Sequence, residues 1–338
     1  DGFLRNVRAA LIPPPPAEPP ISVSCASDHA YFCGLWVTLH SLCAHCAEGC
    51  ALRLHILDGG LTAEHRAALS PLAGRFPGKT IDVRLHPIDP SDFSSLPKWR
   101  GNHVAYARLM LQDLLQDEDY TLYTDVDTLW LRDVSELWAL RDDTPCKAVP
   151  DGSCLPLYSS GEAKTKVFRS LGVEIRPENY FCSGLLLMNL RALRDMGFTQ
   201  RWMHLLSDKP SALSFPDQDL YNLILPYPLT KPLDWRWGEF SATYGLRPID
   251  GPRVIHYANA APWTHKASAV AMLWWDWLAH HAGFEPLNVQ AKALRRRWKG
   301  IRFKDWVIHS PIGSLYNRFL AWRKPSAYAK RLVRHFPE

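Results

Sequence analysis

Tyr120-Thr121-Leu122-Tyr123-Thr124-Asp125-Val126-Asp127 is the stretch on which the reading of this chain turns. Its first five residues are β-branched, aromatic or aliphatic and predict a buried strand, and two carboxylates follow one residue apart. In parallel sheets, ligands bind at the carboxyl ends of strands, so acids placed there are candidates for chemistry. Asp125 and Asp127 can both reach a divalent ion if the backbone turns after Thr124. Hard cations such as Mg²⁺ and Mn²⁺ take oxygen ligands and leave positions open for phosphates. The competing reading makes the pair turn and capping residues. Asp117-Glu118-Asp119 and Asp217-Gln218-Asp219 have the same spacing, but the first falls on a polar helix-to-strand turn.

Outward from this stretch, strand and helix patterns alternate. Upstream, Ile21 to Ala26 reads as a short buried strand, and Leu35, Leu39 and Leu42 recur at helical spacing. Leu52 to Leu57 predicts a strand, Thr62 to Leu72 a helix and Ile81 to Leu85 a strand. Val104 to Leu115 predicts a helix with Leu111, Leu114 and Leu115 on its inner side. Downstream, Asp133 and Glu136 have capping-box spacing, Gly184 to Asn189 reads as a central strand and Val254 to Tyr257 as a short one. The alternation predicts an α/β fold with a largely parallel sheet covered on both faces.

Other polar residues sit at the ends of these runs. His256 follows Val254-Ile255; it is either a packed histidine or a third ligand, and an imidazole beside two carboxylates suits Mn²⁺ better than Mg²⁺. Asp28 and Tyr31 follow the first strand, where a carboxylate can accept from a nucleobase N–H and a ring can stack on the base; a helix cap with a packing aromatic reads equally well. No G-x-G-x-x-G follows the first strand and no G-x4-G-K-[ST] occurs, which argues against dinucleotide-binding and P-loop folds.

With 338 residues, 47% hydrophobic and 22% charged, the chain has globular composition. Its longest apolar stretch, Ala267 to Ala279, has 13 residues and contains Asp276. That is short of the roughly 20 needed to span a bilayer. No cleavable signal-peptide pattern is read at the start. Cys43, Cys46 and Cys50 form a C-x2-C-x3-C run around His45; without a second cluster the expectation is reduced thiols and a reducing compartment rather than a metal site. Pro13 to Pro16, with Pro19 and Pro20, predict a stiff lead. From Leu287 to Glu338, thirteen Lys and Arg face two acids, a net of +11; with +5 overall, the preceding 286 residues carry −6. The expected organisation is a proline-rich lead over 1–20, a catalytic domain over 21–286 and a basic, aromatic helical tail over 287–338. Trp298, Phe303, Trp306, Tyr316, Phe319 and Trp322, interleaved with Arg and Lys, suit an anionic membrane surface; RNA uses the same ingredients, but no nucleic-acid partner is expected. Trp274, Trp275 and Trp277 are expected in cores, whereas Trp235 and Trp237 are acceptor-site candidates.

Taken together, the segments from Ile21 to Trp277 resemble the family 8 retaining glycosyltransferases, which have a GT-A fold, a Rossmann-like sheet for nucleotide sugars. Ala26-Ser27-Asp28-His29-Ala30-Tyr31 is similar to the opening segment for the uridine end of the donor, and Tyr106-Ala107-Arg108-Leu109 to the Y-A-R-L helix whose arginine contacts the donor. Asp125-Val126-Asp127 matches the D-x-D motif, and Asp151 a sugar-contacting aspartate. Phe181 to Asn189 resembles the F-N-[AS]-G-x-[LM]-x-[IM]-N strand, Asp217 to Asn222 the D-Q-D-x-x-N segment, and His256-Tyr257 with Pro262-Trp263 the H-x-x-G-x-x-K-P-W block. Cys182 stands where asparagine is usual, Asn259 where glycine is usual, and the lysine of the last block is missing, with Lys266 its nearest substitute.

The resemblance implies transfer of a hexose, galactose or glucose, from a UDP-sugar to a hydroxyl of a glycan or glycolipid, with retention, in bacterial lipopolysaccharide or cell-surface polysaccharide synthesis. It implies Mn²⁺, with Mg²⁺ as alternative, held by Asp125, Asp127 and His256. Ala26, Asp28, Tyr31, Arg108, Asp125, Val126 and Lys266 would contact the UDP-sugar. Asp151, Asp217 and Gln218 would serve the sugar end, with Gln218 nearest the reacting carbon. The implied place is the cytoplasmic face of the inner membrane, held peripherally. Two alternatives stand beside this: a family member that binds nucleotide sugar with weak or no turnover, and a haloacid-dehalogenase-like phosphatase, whose nucleophile loop D-x-D-x-[TV] Asp125-Val126-Asp127-Thr128-Leu129 also resembles.

Overall fold

The computed structural model describes residues 19–93, 103–151, 159–174, 176, 179–208, 216–238, 251–258, 260–264, 269–287 and 289–309, with the backbone alone for 90, 159–164, 207, 208, 216, 269, 289 and 302–309. Most of the proline-rich lead, Asn259, Lys266 and the tail aromatics Tyr316, Phe319 and Trp322 lie outside them.

Among the described residues, nine strands form: β1 (Ile21–Ser27), β2 (Ala51–Asp58), β3 (Thr80–Pro87), β4 (Tyr120–Thr124), β5 (Thr128–Trp130), β6 (Cys146–Pro150), β7 (Phe181–Asn189), β8 (Thr230–Pro232) and β9 (Val254–His256). Seven make one sheet in the order β3-β2-β1-β4-β7-β6-β8, and β5 with β9 makes a second. Strands β3, β2, β1 and β4 run parallel, whereas β7 is antiparallel to both neighbours. The expected largely parallel α/β sheet is therefore parallel on one side and mixed on the other. Expected strand Val254 to Tyr257 belongs to the small sheet, where Thr128 pairs with His256 and Trp130 with Val254.

β1 shows why the sheet centre reads as it does. Ile21, Val23 and Cys25 enter one apolar core. Ser22 and Ser24 lie between them and are joined through Thr121 on β4, with Ser22 Oγ donating to Thr121 Oγ1 at 3.1 Å and Thr121 Oγ1 to Ser24 Oγ at 3.3 Å. Buried hydroxyls are satisfied across strands, so polar residues survive in a fully buried strand.

The helix Phe32–His45 is buried from Phe32 to Cys43, not only on the face marked by Leu35, Leu39 and Leu42. It wedges between the two sheets. Thr38 Oγ1 reaches Val126 O at 3.0 Å and Thr128 O at 2.9 Å, and Ser41 Oγ accepts from Trp130 N at 3.1 Å. Gly34 allows the approach, since a Cβ there would stand 2.6 Å from Val126 O and 2.3 Å from the Trp263 ring.

Several sequence expectations are corrected locally. The helix expected over Thr62 to Leu72 is α-helical only over Ala63–Leu69, capped by Thr62, and continues as a 3₁₀ segment to Arg75. Val104 to Leu115 is a 3₁₀ segment, Val104–Met110, followed by one α turn. Its tighter winding aligns residues three apart, so that Arg108 Nε donates to Ala105 O at 2.9 Å. Asp133 caps its helix by accepting from Ser135 N, but Glu136 pairs with Arg253 and leaves the capping box half made. Cys46 and Cys50 form a disulfide, against the expectation of reduced thiols; Gly49, at φ +75°, turns the chain so that their Cα atoms lie 6.3 Å apart. Trp274 and Trp275 are fully buried as expected, but Trp237 is also core, packed on Trp130, leaving Trp235 as the exposed member of its pair.

The helix Val289–His309 begins the basic segment, and Leu294 and Ile301 pack into the main core with Leu287. Among the described residues, no helix is long and apolar enough to cross a membrane. Replacing Thr38 by the near-isosteric valine removes the donor shared by two buried carbonyls. It is expected to cost about 1–3 kcal/mol in chemical denaturation, with unchanged far-UV circular dichroism.

Candidate active site

The turn after β4 places Asp125 and Asp127, and strand β9 returns His256 to them. Tyr257 N donates to Asp127 O at 2.8 Å and Asp125 N to Gly184 O at 2.7 Å, so both acids are pinned through backbone. His256 Nε2 lies 3.3 Å from Asp127 Oδ1 and 3.7 Å from Asp125 Oδ2. One ligand atom from each of the three falls within 4.8 Å of the others. Two carboxylate oxygens and one imidazole nitrogen are a donor set that accepts Mn²⁺ and, less readily, Mg²⁺. Gly184 completes the cradle: a Cβ there would stand 2.2 Å from His256 Cε1 and 2.8 Å from Asp125 Oδ2. The residues present fit a divalent cation.

Arg108 lies behind this cluster, 6% exposed, with Nη2 2.8 Å from Asp125 Oδ1 and Nη1 3.3 Å from Asp217 Oδ2. Its Nη1 also donates to Ser183 O at 2.9 Å, and the guanidinium covers the Tyr123 ring at 4.6 Å. Tyr123 Oη donates to Asp125 Oδ1 at 2.9 Å. Asp125 thus gives Oδ1 to Arg108 and Tyr123 and turns Oδ2 toward His256. Burial raises the Asp125 pKa above the ordinary carboxylate range, and Asp127 adds to this while Arg108 and His256 oppose it. Burial acts against a charged His256, but Cys182 and Asp127 outweigh it and raise its pKa well above the ordinary value. A divalent ion would favour the ionised Asp125 and the neutral imidazole.

The sugar-side candidates form a second cluster on the other side of Arg108. Gln218 Nε2 donates to Asp151 Oδ2 at 2.7 Å, and its Oε1 accepts from Ser183 N at 3.1 Å. Ser183 Oγ donates to Asp217 Oδ2 at 3.0 Å. Asp217 and Gln218 open the helix Pro216–Ile224. Asn222, one turn later, clamps the backbone of Phe181 through N–H···Oδ1 at 2.7 Å and Nδ2–H···O at 2.8 Å. Asp219 accepts from Tyr180 Oη. Within Asp217 to Asn222, therefore, Asp219 and Asn222 hold the helix to β7 while Asp217 and Gln218 face the centre.

At the other end of the cleft, Asp28 Oδ1 accepts from Ala30 N at 2.9 Å and Tyr31 N at 3.1 Å, so it closes the turn ahead of the helix Phe32–His45 and is not the expected helix cap, a position that falls to Tyr31. The Tyr31 ring packs edge-on to Trp263 at 5.8 Å. Ala26, Asp28, Tyr31, Arg108, Asp125, Val126 and Asp127 all line one open cleft with about 600 Å³ of empty space. Three contributors had no signal of their own in the sequence: Tyr123, Ser183 and Gly184. Only Gly184 could have been suspected, as a glycine inside a strand marks a close approach.

Gly184→Ala is expected to weaken Mn²⁺ binding at least tenfold by calorimetry, because displaced ligands typically cost about 10- to 100-fold, with the fold retained.

The model of glycosyl transferase family 8 matches residues 22–267. A lipopolysaccharide 1,2-glucosyltransferase of Escherichia coli is 28% identical over 318 residues, covering 90% of this chain and 86% of that protein. A Haemophilus influenzae protein is 25% identical over 204 residues, and the chain spans only 58% of its length. Among solved structures, the galactosyltransferase LgtC in complex with donor and acceptor sugar analogs superposes with a TM-score of 0.63 at 22% identity, covering 83% of this chain and 100% of that one. The WbbM bifunctional glycosyltransferase superposes at 0.64 and 18%, covering 84% and 52%. These likenesses concern the fold, which is the GT-A type of α/β architecture. With the family model covering most of its length, the chain belongs to glycosyl transferase family 8.

Proposed function

We propose that this protein is a retaining glycosyltransferase that moves a hexose from a UDP-sugar to a hydroxyl of a glycan or glycolipid, with Mn²⁺ held by Asp125, Asp127 and His256. The observation that carries the reading is the convergence of these three side chains beside Arg108 at one end of an open cleft. A bound cation supplies Lewis acidity beside the departing diphosphate.

The remaining work belongs to the chain. Ala26, Asp28, Tyr31 and Val126 line the part of the cleft that suits a nucleoside. Arg108 is held charged by Asp125 and Asp217 and orients both acids. Asp151 and Asp217 are the acceptors for sugar hydroxyls. Gln218 is a neutral amide locked between Ser183 and Asp151, a poor nucleophile whose dipole stabilises positive charge growing at the anomeric carbon. Retention then follows from front-face attack: the acceptor oxygen bonds the anomeric carbon as the bond to the diphosphate breaks, and the acceptor proton passes to the leaving phosphate oxygen. The two carboxylates beside Gln218 are occupied by Arg108, Ser183 and Gln218 itself, which disfavours a covalent carboxylate adduct. Lys266 remains a candidate for the diphosphate.

The acceptor class rests on the similarity to the Escherichia coli lipopolysaccharide glucosyltransferase, whose alignment covers 90% of this chain. A glycolipid acceptor agrees with a basic tail that meets an anionic membrane from the cytoplasmic side. Lys292, Arg296 and Lys299 are exposed on the helix Val289–His309.

Calorimetry tests the donor reading. UDP is expected to bind with Mn²⁺, to lose affinity with EDTA and in Asp127→Asn, and to bind normally to Gln218→Ala, whose turnover falls. Binding that ignores the metal contradicts the reading. Substituting Lys292, Arg296 and Lys299 by glutamine is expected to weaken binding to anionic vesicles about 100-fold, at about 1 kcal/mol per charge. Unchanged binding removes the tail from the membrane.

A further inference from the structure

Three consecutive residues of β7 divide between the two clusters, as alternation along a strand directs. Ser183 turns to Arg108, Asp217 and Gln218. Cys182 and Gly184 turn to the imidazole of His256. Cys182 Sγ stands 3.8 Å from His256 Nδ1, and the same sulfur accepts the N–H of Gly184 at 3.4 Å. The other ring nitrogen, Nε2, faces Asp127 and Asp125. Cys182 is 6% exposed, so bulk water does not compete for the ring nitrogen it approaches.

We propose that Cys182 is a positioning residue for the cation centre: its sulfur receives the Nδ1–H of His256 and holds the ring so that the Nε2 lone pair points between Asp125 and Asp127. The proposal rests on the reading of those three side chains as a divalent-cation site. An imidazole that binds a metal through one nitrogen is steered by the hydrogen bond at the other, and loss of such a partner typically costs about 10- to 100-fold in affinity. A thiol is a weak acceptor, which puts the expected effect at the lower end. Residue 182, where the family resemblance implies an asparagine, thereby acts on the metal side of the centre.

The test is Mn²⁺ titration of the full chain, followed by the electron paramagnetic resonance signal of the free ion, without nucleotide or turnover. Cys182→Ala is expected to bind Mn²⁺ about tenfold more weakly. Cys182→Asn, whose amide oxygen can accept from the same ring nitrogen, is expected to return to within about threefold of wild type, and thermal melts report that the variants are folded. If Cys182→Ala melts too early, Cys182→Val fills the volume without offering a comparable acceptor. Wild-type affinity in the alanine or valine variant overturns the proposal and leaves the cation site standing, as does a loss that asparagine fails to restore. Absence of Mn²⁺ binding in the wild type removes the cation site, and the proposal with it.

Discussion

A buried guanidinium holds this site together. Arg108 stands between Asp125 at the end of β4 and Asp217 at the start of the helix Pro216–Ile224, and reaches Ser183 on β7. Three carboxylates, Asp125, Asp127 and Asp217, would otherwise meet with little solvent to separate them. Removing one partner from such a buried set leaves uncompensated charge, typically at a cost of about 3–5 kcal/mol. The same contacts set direction: with Asp125 Oδ1 taken by Arg108 and Tyr123, Oδ2 is left for His256 and a cation.

A second constraint brings His256 to that place from far along the chain. The small sheet of β5 and β9 pairs Thr128 with His256 directly after the Asp-x-Asp turn. The buried helix Phe32–His45 fixes this turn from behind through Thr38 and Ser41. The loop after β1, proposed to face the nucleoside, leads into the same helix, so both ends of the cleft are indexed to one rigid element. Gln290 Nε2, on the basic helix, donates to His29 O in that loop at 3.1 Å. The segment proposed to meet the membrane therefore begins at the rim of the donor cleft.

Much of this was legible from the chain because strand ends have a local signature. Apolar runs ending in Asp125 or His256 marked the sites where a sheet exposes polar groups, and the ordered motifs from Ala26 to Trp263 pointed to a GT-A fold. What escaped has tertiary causes. The Val104 to Leu115 pattern suits an α-helix, but the chain winds as 3₁₀ over Val104–Met110, where Tyr106, Ala107, Arg108 and Leu109 are all buried, so no exposed face marks a helical period. Glu136 had the right spacing for a capping box, yet Arg253 from a distant loop claims it. Asp28 was legible as both cap and ligand; its carboxylate closes the turn before the helix instead of capping it, and it lines the cleft. The antiparallel sense of β7 has no sequence signature, because a central strand is apolar in either direction. That sense lets Cys182, Ser183 and Gly184 enter the centre from the start of β7 while Asp125 enters from the end of β4.

On the proposed function, Asp125, Asp127 and His256 hold a divalent cation against a nucleoside diphosphate in the adjoining cleft. Anomalous diffraction from crystals grown with Mn²⁺ and UDP tests it most directly. The expected result is an anomalous peak between the two carboxylates and His256 Nε2, touching diphosphate density beside Arg108. Diphosphate density with no anomalous peak among these three side chains, or a peak elsewhere in the cleft, would contradict it.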